Sequence, residues 1–382
     1  MSFIYGAASV SAVIGFIPHI PQVGIYALLI IFALYNLSKP HRNNPWLATL
    51  LAYIPLELII TQPDSVFKPW PRYVMFALLL TCVSPLLDGK YHRKSRHRMF
   101  LMVLWTCSFL AIGSFFGRFL GLNYMVASAK DAINHAGLFG GLTPHSMLLG
   151  PISGIGGVFM SYHAFRTKKK LYWLLAALCL FSILFSASRS SLMASVVGIV
   201  LTIYKLSGNT SKFLRIGIIA GAIAASTFPL WDSALDGVIQ KNVGNTSGID
   251  TSSRQGKWDM RIEEFVSSPL IGVGFVSVDS ELARGDYDNT TGVIETGSSW
   301  LSIFSMLGLI GVIILLPFLC SSYITVWKQT DEFNAIVTGV LSLMYVHMIA
   351  EGYIFSGGSF LCFVLWLTLG VANDSKSNTL NK

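Results

Sequence analysis

Charge is what this sequence has least of. Only 12% of its 382 residues are Asp, Glu, Lys or Arg, about half the share carried by a soluble domain. A soluble chain of this length needs a far more polar surface to cover its core. Disorder is excluded as well, because 53% of the residues are hydrophobic and disordered chains are poor in apolar residues. Cysteine is sparse. Cys82, Cys107, Cys179, Cys320 and Cys362 all lie inside apolar blocks, which implies neither a disulfide framework nor a metal cluster. No basic region opens the chain, so its first apolar block reads as a retained span and not a cleaved signal. A Walker lysine loop, a dinucleotide glycine fingerprint and an HExxH helix are all missing. The nearest approach to a metal-binding acid pair, Asp286-Tyr287-Asp288, reads as solvated loop polarity. Nothing in the pattern asks for a metal or a cofactor.

Apolar blocks are what is present. Twelve come near the ~20 residues that cross a bilayer as a helix. They run roughly over 3–17, 22–38, 46–61, 70–88, 99–117, 143–165, 171–187, 190–206, 214–231, 298–326, 335–352 and 358–373. The first two are short and separated only by Pro18-His19-Ile20-Pro21, so they also read as one re-entrant hairpin. The expected fold is an all-α polytopic integral membrane protein of about 12 transmembrane helices, one domain over 1–382.

Lys and Arg give the orientation. With the N-terminus inside, the inside loops are 39–45, 89–98, 166–170, 207–213, 327–334 and the tail. Counted with the adjoining helix ends, these regions hold 17 of the 27 basic residues, and cytoplasmic loops are the ones enriched in Lys and Arg. The net charge of +8 is then accounted for by anchors against an anionic leaflet. A nucleic-acid partner fits poorly, since the basic residues are divided among separate loops. The outside carries one large polar segment, 232–297, expected to be a periplasmic loop, and a shorter one at 118–142.

Several residues in these outside regions are candidates for chemistry. Ser252-Ser253-Arg254-Gln255 fits a capping box, and helical spacing continues through Trp258, Ile262 and Phe265 until Ser267-Ser268-Pro269. Arg254 and Arg261 fall on nearly the same face, with Arg254 in the first turn, where free backbone N–H groups favour an anion. A surface helix with solvated arginines is the blander reading. Leu270-Ile271-Gly272-Val273-Gly274-Phe275 follows, its glycines marking a turn or a close backbone approach. Arg189, in Ser188-Arg189-Ser190-Ser191, sits between two spans with no other loop residues. An arginine there needs water, an anion or a carboxylate, and anchoring arginines favour the other side. His145 opens a span, Arg118 flanks the shorter outside segment, and Glu57 and Glu351 are the acids nearest to span interiors.

In their order these elements resemble the O-antigen ligase and polymerase superfamily of polysaccharide-assembly membrane proteins. The resemblance rests on Thr143-Pro-His-Ser-Met-Leu-Leu-Gly-Pro151 opening a span and Ser186-Ala-Ser-Arg-Ser-Ser191 between two spans. Ser253-Arg-Gln-Gly-Lys-Trp258 and Ser268-Pro-Leu-Ile-Gly-Val-Gly-Phe275 follow in one long loop, and Gly308-Leu-Ile-Gly311 in the next span. It covers about 140–315; the first 115 residues match only as hydrophobic spans. It implies a membrane glycosyltransferase acting on undecaprenyl-diphosphate-linked oligosaccharides, donor and acceptor, at the periplasmic face of a bacterial inner membrane. Membrane lipids and a chain-length regulator would be further partners. The superfamily arginines that bind the lipid diphosphate fall on Arg189 and Arg254. Ligases of the superfamily carry a histidine whose slot here is Gly297, followed by Ser298. Its absence favours a polymerase of O-antigen, capsule or exopolysaccharide repeat units over a ligase. The base would then come from Glu295, His145 or Glu351, and Arg118, Arg261 and Trp258 are the substrate-binding candidates. A lipid-linked sugar flippase is the alternative from another class.

Overall fold

The computed structural model describes residues 2–18, 20–125, 139–208, 255–280, 282, 294 and 296–379. The expected span 214–231 and the candidates Arg254 and Glu295 lie outside the described residues. Among the described residues are twelve α-helices. They are α1 (Ser2–Ser11), α2 (Gln22–Leu37), α3 (Pro45–Thr61), α4 (Pro69–Val83), α5 (Lys90–Phe119), α6 (Ser146–Thr167), α7 (Lys170–Phe185), α8 (Arg189–Ser207), α9 (Gln255–Ser267), α10 (Ser299–Lys328), α11 (Glu332–His347) and α12 (Phe360–Thr379). The one described strand pairing is an antiparallel bridge, Arg42–Asn43 with Leu87–Asp88. The described residues are therefore mostly helical, and among them α5, α8 and α10 are long and apolar enough to cross a membrane. Helix α1 has ten residues, a rise of about 15 Å, half a hydrocarbon core; that suits the hairpin alternative better than a full span.

Helix ends follow the local chemistry. Asn44 caps α3 by accepting from Trp46 N and Leu47 N, with Pro45 in the first turn. Asp331 caps α11 through Asn334 N at 2.9 Å. Helix α5 starts nine residues earlier than hydropathy suggests, because five of the nine residues in the polar run 90–98 are Lys or Arg, which favour helix. Helix α11 stops at His347, ahead of the glycines of 352–358.

The loops read as lying on one side do meet. Arg96 is buried and donates through Nε to Asp374 Oδ2 at 3.0 Å and through Nη1 to Ser84 O and Leu87 O at 3.0 and 2.9 Å. Lys205 closes the end of α10, donating to Val326 O, Trp327 O and Gln329 O at 2.7, 3.1 and 2.9 Å. Arg166 pairs with Glu332 at 2.9 Å and Arg93 with Asp88 at 2.8 Å. The basic run thus divides. Lys90, Lys94 and Arg98 are exposed, whereas Arg96 serves the protein's own interior and Arg93 a half-exposed pair with Asp88, not an anionic leaflet.

Helix α10 is broken. Gly308 has φ 60° and ψ −169°, a conformation essentially reserved for glycine. The break leaves carbonyls and amides inside an apolar helix, where each needs a partner. The chain after α9 supplies them. Val273 N donates to Ser305 O at 2.9 Å, Gly274 N to Met306 O at 3.3 Å, and Leu309 N and Ile310 N donate to Pro269 O and Leu270 O at 2.9 and 3.2 Å. Tyr53 of α3 donates to Leu307 O at 2.9 Å. The backbones touch at Gly308 and Gly272, where any Cβ would collide with main-chain atoms of the other segment. The close backbone approach expected from the glycines of 270–275 is what forms.

Beyond the crossing, Phe275 is fully buried between Phe76 and Phe355, with ring centroids 5.5 and 5.4 Å away. Its N–H donates to Glu57 Oε2 at 3.1 Å. Glu57, an acid near a span interior, therefore holds the turn of the long loop.

Candidate functional site

The end of the bundle away from the basic loops is built from helix starts and small polar side chains. Helix α6 is capped by His145, whose Nδ1 accepts from Met147 N at 3.1 Å. While Nδ1 caps the helix, the neutral ring carries its proton on Nε2, so only a ring that releases the cap has a lone pair to offer a substrate. Helix α8 begins at Arg189, which is exposed. Just behind it, Ser188 Oγ donates to Ser191 Oγ at 2.7 Å, and Ser191 Oγ lies 3.1 Å from Nε2 of His347. Both Ser191 and His347 are buried.

His347 connects this corner to the start of α10. Its carbonyl accepts from Glu351 N at 3.1 Å. Glu351 O in turn accepts from Ser299 N and Ser299 Oγ at 3.0 and 2.8 Å. Ser298 Oγ donates to Met348 O at 3.2 Å. The neighbouring Gly297, in the slot of the ligase histidine, has φ 69°. A Cβ there would fall 2.7 Å from Lys257 Cβ, and the Gly297 carbonyl accepts from Trp258 Nε1 at 3.2 Å. An imidazole there would have to adopt that left-handed backbone and push the Lys257 side chain aside.

Helix α9 begins at Gln255, and its end at Ser267 agrees with the Ser267-Ser268-Pro269 stop. The capping-box residues 252–254 lie outside the described residues, and so does any distance from Arg189 to Arg254. Arg261 is fully buried; its Nη1 donates to Glu264 Oε2 at 2.7 Å, Ser305 Oγ at 3.2 Å and Ser277 O at 3.3 Å. In this state its guanidinium fastens α9 to α10 rather than facing solvent, because an arginine shielded from water needs a carboxylate and several acceptors. Arg118, at the end of α5, is exposed and lies over the rings of Phe139 and Phe185, 5.4 and 6.0 Å to the centroids.

A continuous path of contacts therefore joins the heads of α8, α10 and α9. It runs from Ser188 through Ser191, His347, Glu351 and Ser299 to Gly297 and Trp258. The long region 174–316 carries most of this path.

Residues 174–316 match the O-antigen ligase family.

That match bears out the resemblance to the O-antigen ligase and polymerase superfamily and runs from α7 into α10, taking in Arg189, the whole long loop and Gly308-Leu-Ile-Gly311. It points to a glycosyltransferase-like enzyme of glycan assembly, embedded in a membrane. No curated protein matches the chain. Sequence reasoning overlooked His347. Its only signal was a histidine at the end of an apolar run, and its proximity to Ser191 across 156 residues is invisible to local pattern.

Proposed function

We propose that this protein polymerises lipid-diphosphate-linked oligosaccharide repeat units, of O-antigen, capsule or exopolysaccharide type, at the periplasmic face of a bacterial inner membrane. The observation that carries the choice of polymerase over ligase is Gly297. The family's ligases place a histidine there, and here the position has the backbone of a glycine and the side chain of Lys257 against it.

In the reaction, a hydroxyl oxygen of the acceptor sugar bonds to the anomeric carbon of the donor. The bond from that carbon to the diphosphate oxygen breaks, the diphosphate leaves on its lipid, and the hydroxyl proton passes to a base. Arg189 and Arg254 would hold the diphosphate through paired N–H donors and offset the charge that grows as it departs. Holding the acceptor hydroxyl in line supplies much of the remaining acceleration. For the base, Glu295, His145 and Glu351 are joined by His347. In its Nδ1-protonated tautomer, the His347 Nε2 is the acceptor at the end of the Ser188–Ser191 line that starts beside Arg189. A proton entering at Ser188 would end on that nitrogen. The ligase and flippase readings are retained as outcomes of the tests.

The decisive experiment is deletion of the gene and analysis of the glycan. Collapse of a laddered glycan to single repeat units on the lipid carrier supports a polymerase; intact polymer on the carrier with none transferred means a ligase. In the deletion strain, Arg189→Ala and Arg254→Ala should each lower polymer at least about a hundredfold, with only partial recovery by Lys, which lacks the bidentate fork. Normal ladders from both would move the flippase ahead. His347→Gln keeps a polar group but no basic nitrogen, and should lower turnover by roughly two to four decades with donor affinity unchanged. Normal turnover would return the choice to Glu295, His145 and Glu351.

A further inference from the structure

Helix α9 belongs to the segment that sequence places wholly in water, yet it descends alongside α10. Its first turns meet the head of α10, with Trp258 on Gly297. Lower down, Arg261 reaches Ser305 and the ring of Phe265 lies 5.6 Å from that of Phe304. At its end, Pro269 O and Leu270 O pair with Leu309 N and Ile310 N. Gly308 is nine residues below Ser299, a descent of about 14 Å at 1.5 Å per residue. It lies within the apolar stretch of a helix long enough to cross a membrane. A backbone pinned to Gly308 shares that depth.

The surface of α9 is divided accordingly. One face, with Met260, Arg261 and Glu264, is buried against the protein. Of the remainder, Ile262 and Val266 follow each other at helical spacing and are 50% and 69% exposed, and Leu270 beyond them is 62% exposed. Asp259 and Glu263, also at helical spacing and exposed, form the adjacent flank. The apolar flank does not stop with α9. It continues through the Pro269–Leu309 and Leu270–Ile310 pairings onto the exposed side chains of Leu309, Ile310 and Ile313 of α10. Apolar side chains open at that depth and continuous with the outer surface of a spanning helix match hydrocarbon, the solvent that needs no hydrogen bonds. Carboxylates at the same level require water.

We propose that α9 is a re-entrant helix. Its Ile262–Val266–Leu270 flank contacts the acyl chains of the leaflet at the α10 N-terminal end, and its Asp259–Glu263 flank lines water. The helix is then a wall between lipid and an aqueous vestibule, with its N-terminal turns and Trp258 at the level where a lipid's diphosphate head would lie. The proposal stands independently of the sugar chemistry, since its test reads no activity.

The test places single nitroxide labels at 259, 262, 263 and 266 in a cysteine-free full-length protein in phosphatidylethanolamine–phosphatidylglycerol vesicles. Ile313 serves as the lipid-facing control. Collisions with oxygen, which dissolves in hydrocarbon, are compared with collisions with a water-soluble nickel chelate. Labels at 262 and 266 should favour oxygen as the label at 313 does, and those at 259 and 263 should favour nickel by several-fold. Nickel access at 262 and 266 equal to that at 259 overturns the proposal in favour of an aqueous loop. Protection of 262 and 266 from both reagents overturns it in favour of a covering protein segment or a second copy.

Discussion

The two ends of the bundle use arginine in opposite ways. At the basic end, Arg96 is buried and divided among Asp374, Ser84 and Leu87, and Lys205 closes α10 on three carbonyls. These cations join segments distant in sequence. At the other end Arg189 stands exposed at a helix start, backed by serines and a buried histidine. That arginine stays at the surface instead of inside the protein. Arg261 shows that the difference is not one of side alone: it belongs to the loop of the second end yet is built like the first, paired with Glu264 and wholly buried. Burial, more than residue type or side, separates an arginine that builds the protein from one able to serve a ligand.

That contrast breaks if the ends respond alike to substitution. The largest effect is expected at Arg96. Arg96→Ala removes a buried guanidinium that joins half-buried Asp374 to the Ser84 and Leu87 carbonyls and should destabilise by about 3–5 kcal/mol, read as a lower melting temperature in detergent, while the protein that remains folded keeps normal turnover. Loss of turnover without loss of stability would erase the distinction. Next comes the crossing that carries the loop. Gly308→Ala puts a side chain into a glycine-only conformation and into the Leu270 backbone. It should destabilise by about 3 kcal/mol or more. Gly256→Ala, with open space around it, should be neutral or stabilise by up to about 1 kcal/mol. Equal effects would mean that the loop does not seat on α10 as described.

Arg189→Ala inverts the Arg96 pattern, with its hundredfold loss of polymer, equivalent to about 2.7 kcal/mol in the barrier, and a melting temperature unchanged within a degree or two. A large drop in melting temperature would make Arg189 another structural cation. The smallest effect belongs to Asp88, which Arg93 holds below the usual carboxylate range through paired hydrogen bonds. A depressed folded value stabilises at neutral pH and fades as pH falls through the acid range below it. Asp88→Asn should therefore cost less than about 1 kcal/mol at pH 7, the pair being partly exposed, and should flatten the loss of stability on acidification. An unchanged acid limb would remove the pair from the latches of that end.

Hydrophobic block length by itself determined that this chain is helical and suited to a membrane, and it located eleven of the twelve segments that the described helices occupy or overlap. Runs of apolar residues have one stable solution in lipid, because every backbone group must be satisfied within the segment. Spacing around Trp258, Ile262 and Phe265 likewise announced α9, and the glycines of 270–275 announced a close approach. Order of motifs indicated the family. What only the tertiary structure decided was who meets whom: the threading of 269–274 through the break at Gly308, the seating of Phe275 on Glu57, the burial of Arg261 and Arg96, and the pairing of Ser191 with His347. Each joins residues tens to hundreds of positions apart, and long-range pairing leaves no local periodicity in a sequence. A buried arginine and an exposed one are the same letter until the fold encloses one beside a carboxylate and leaves the other at the surface.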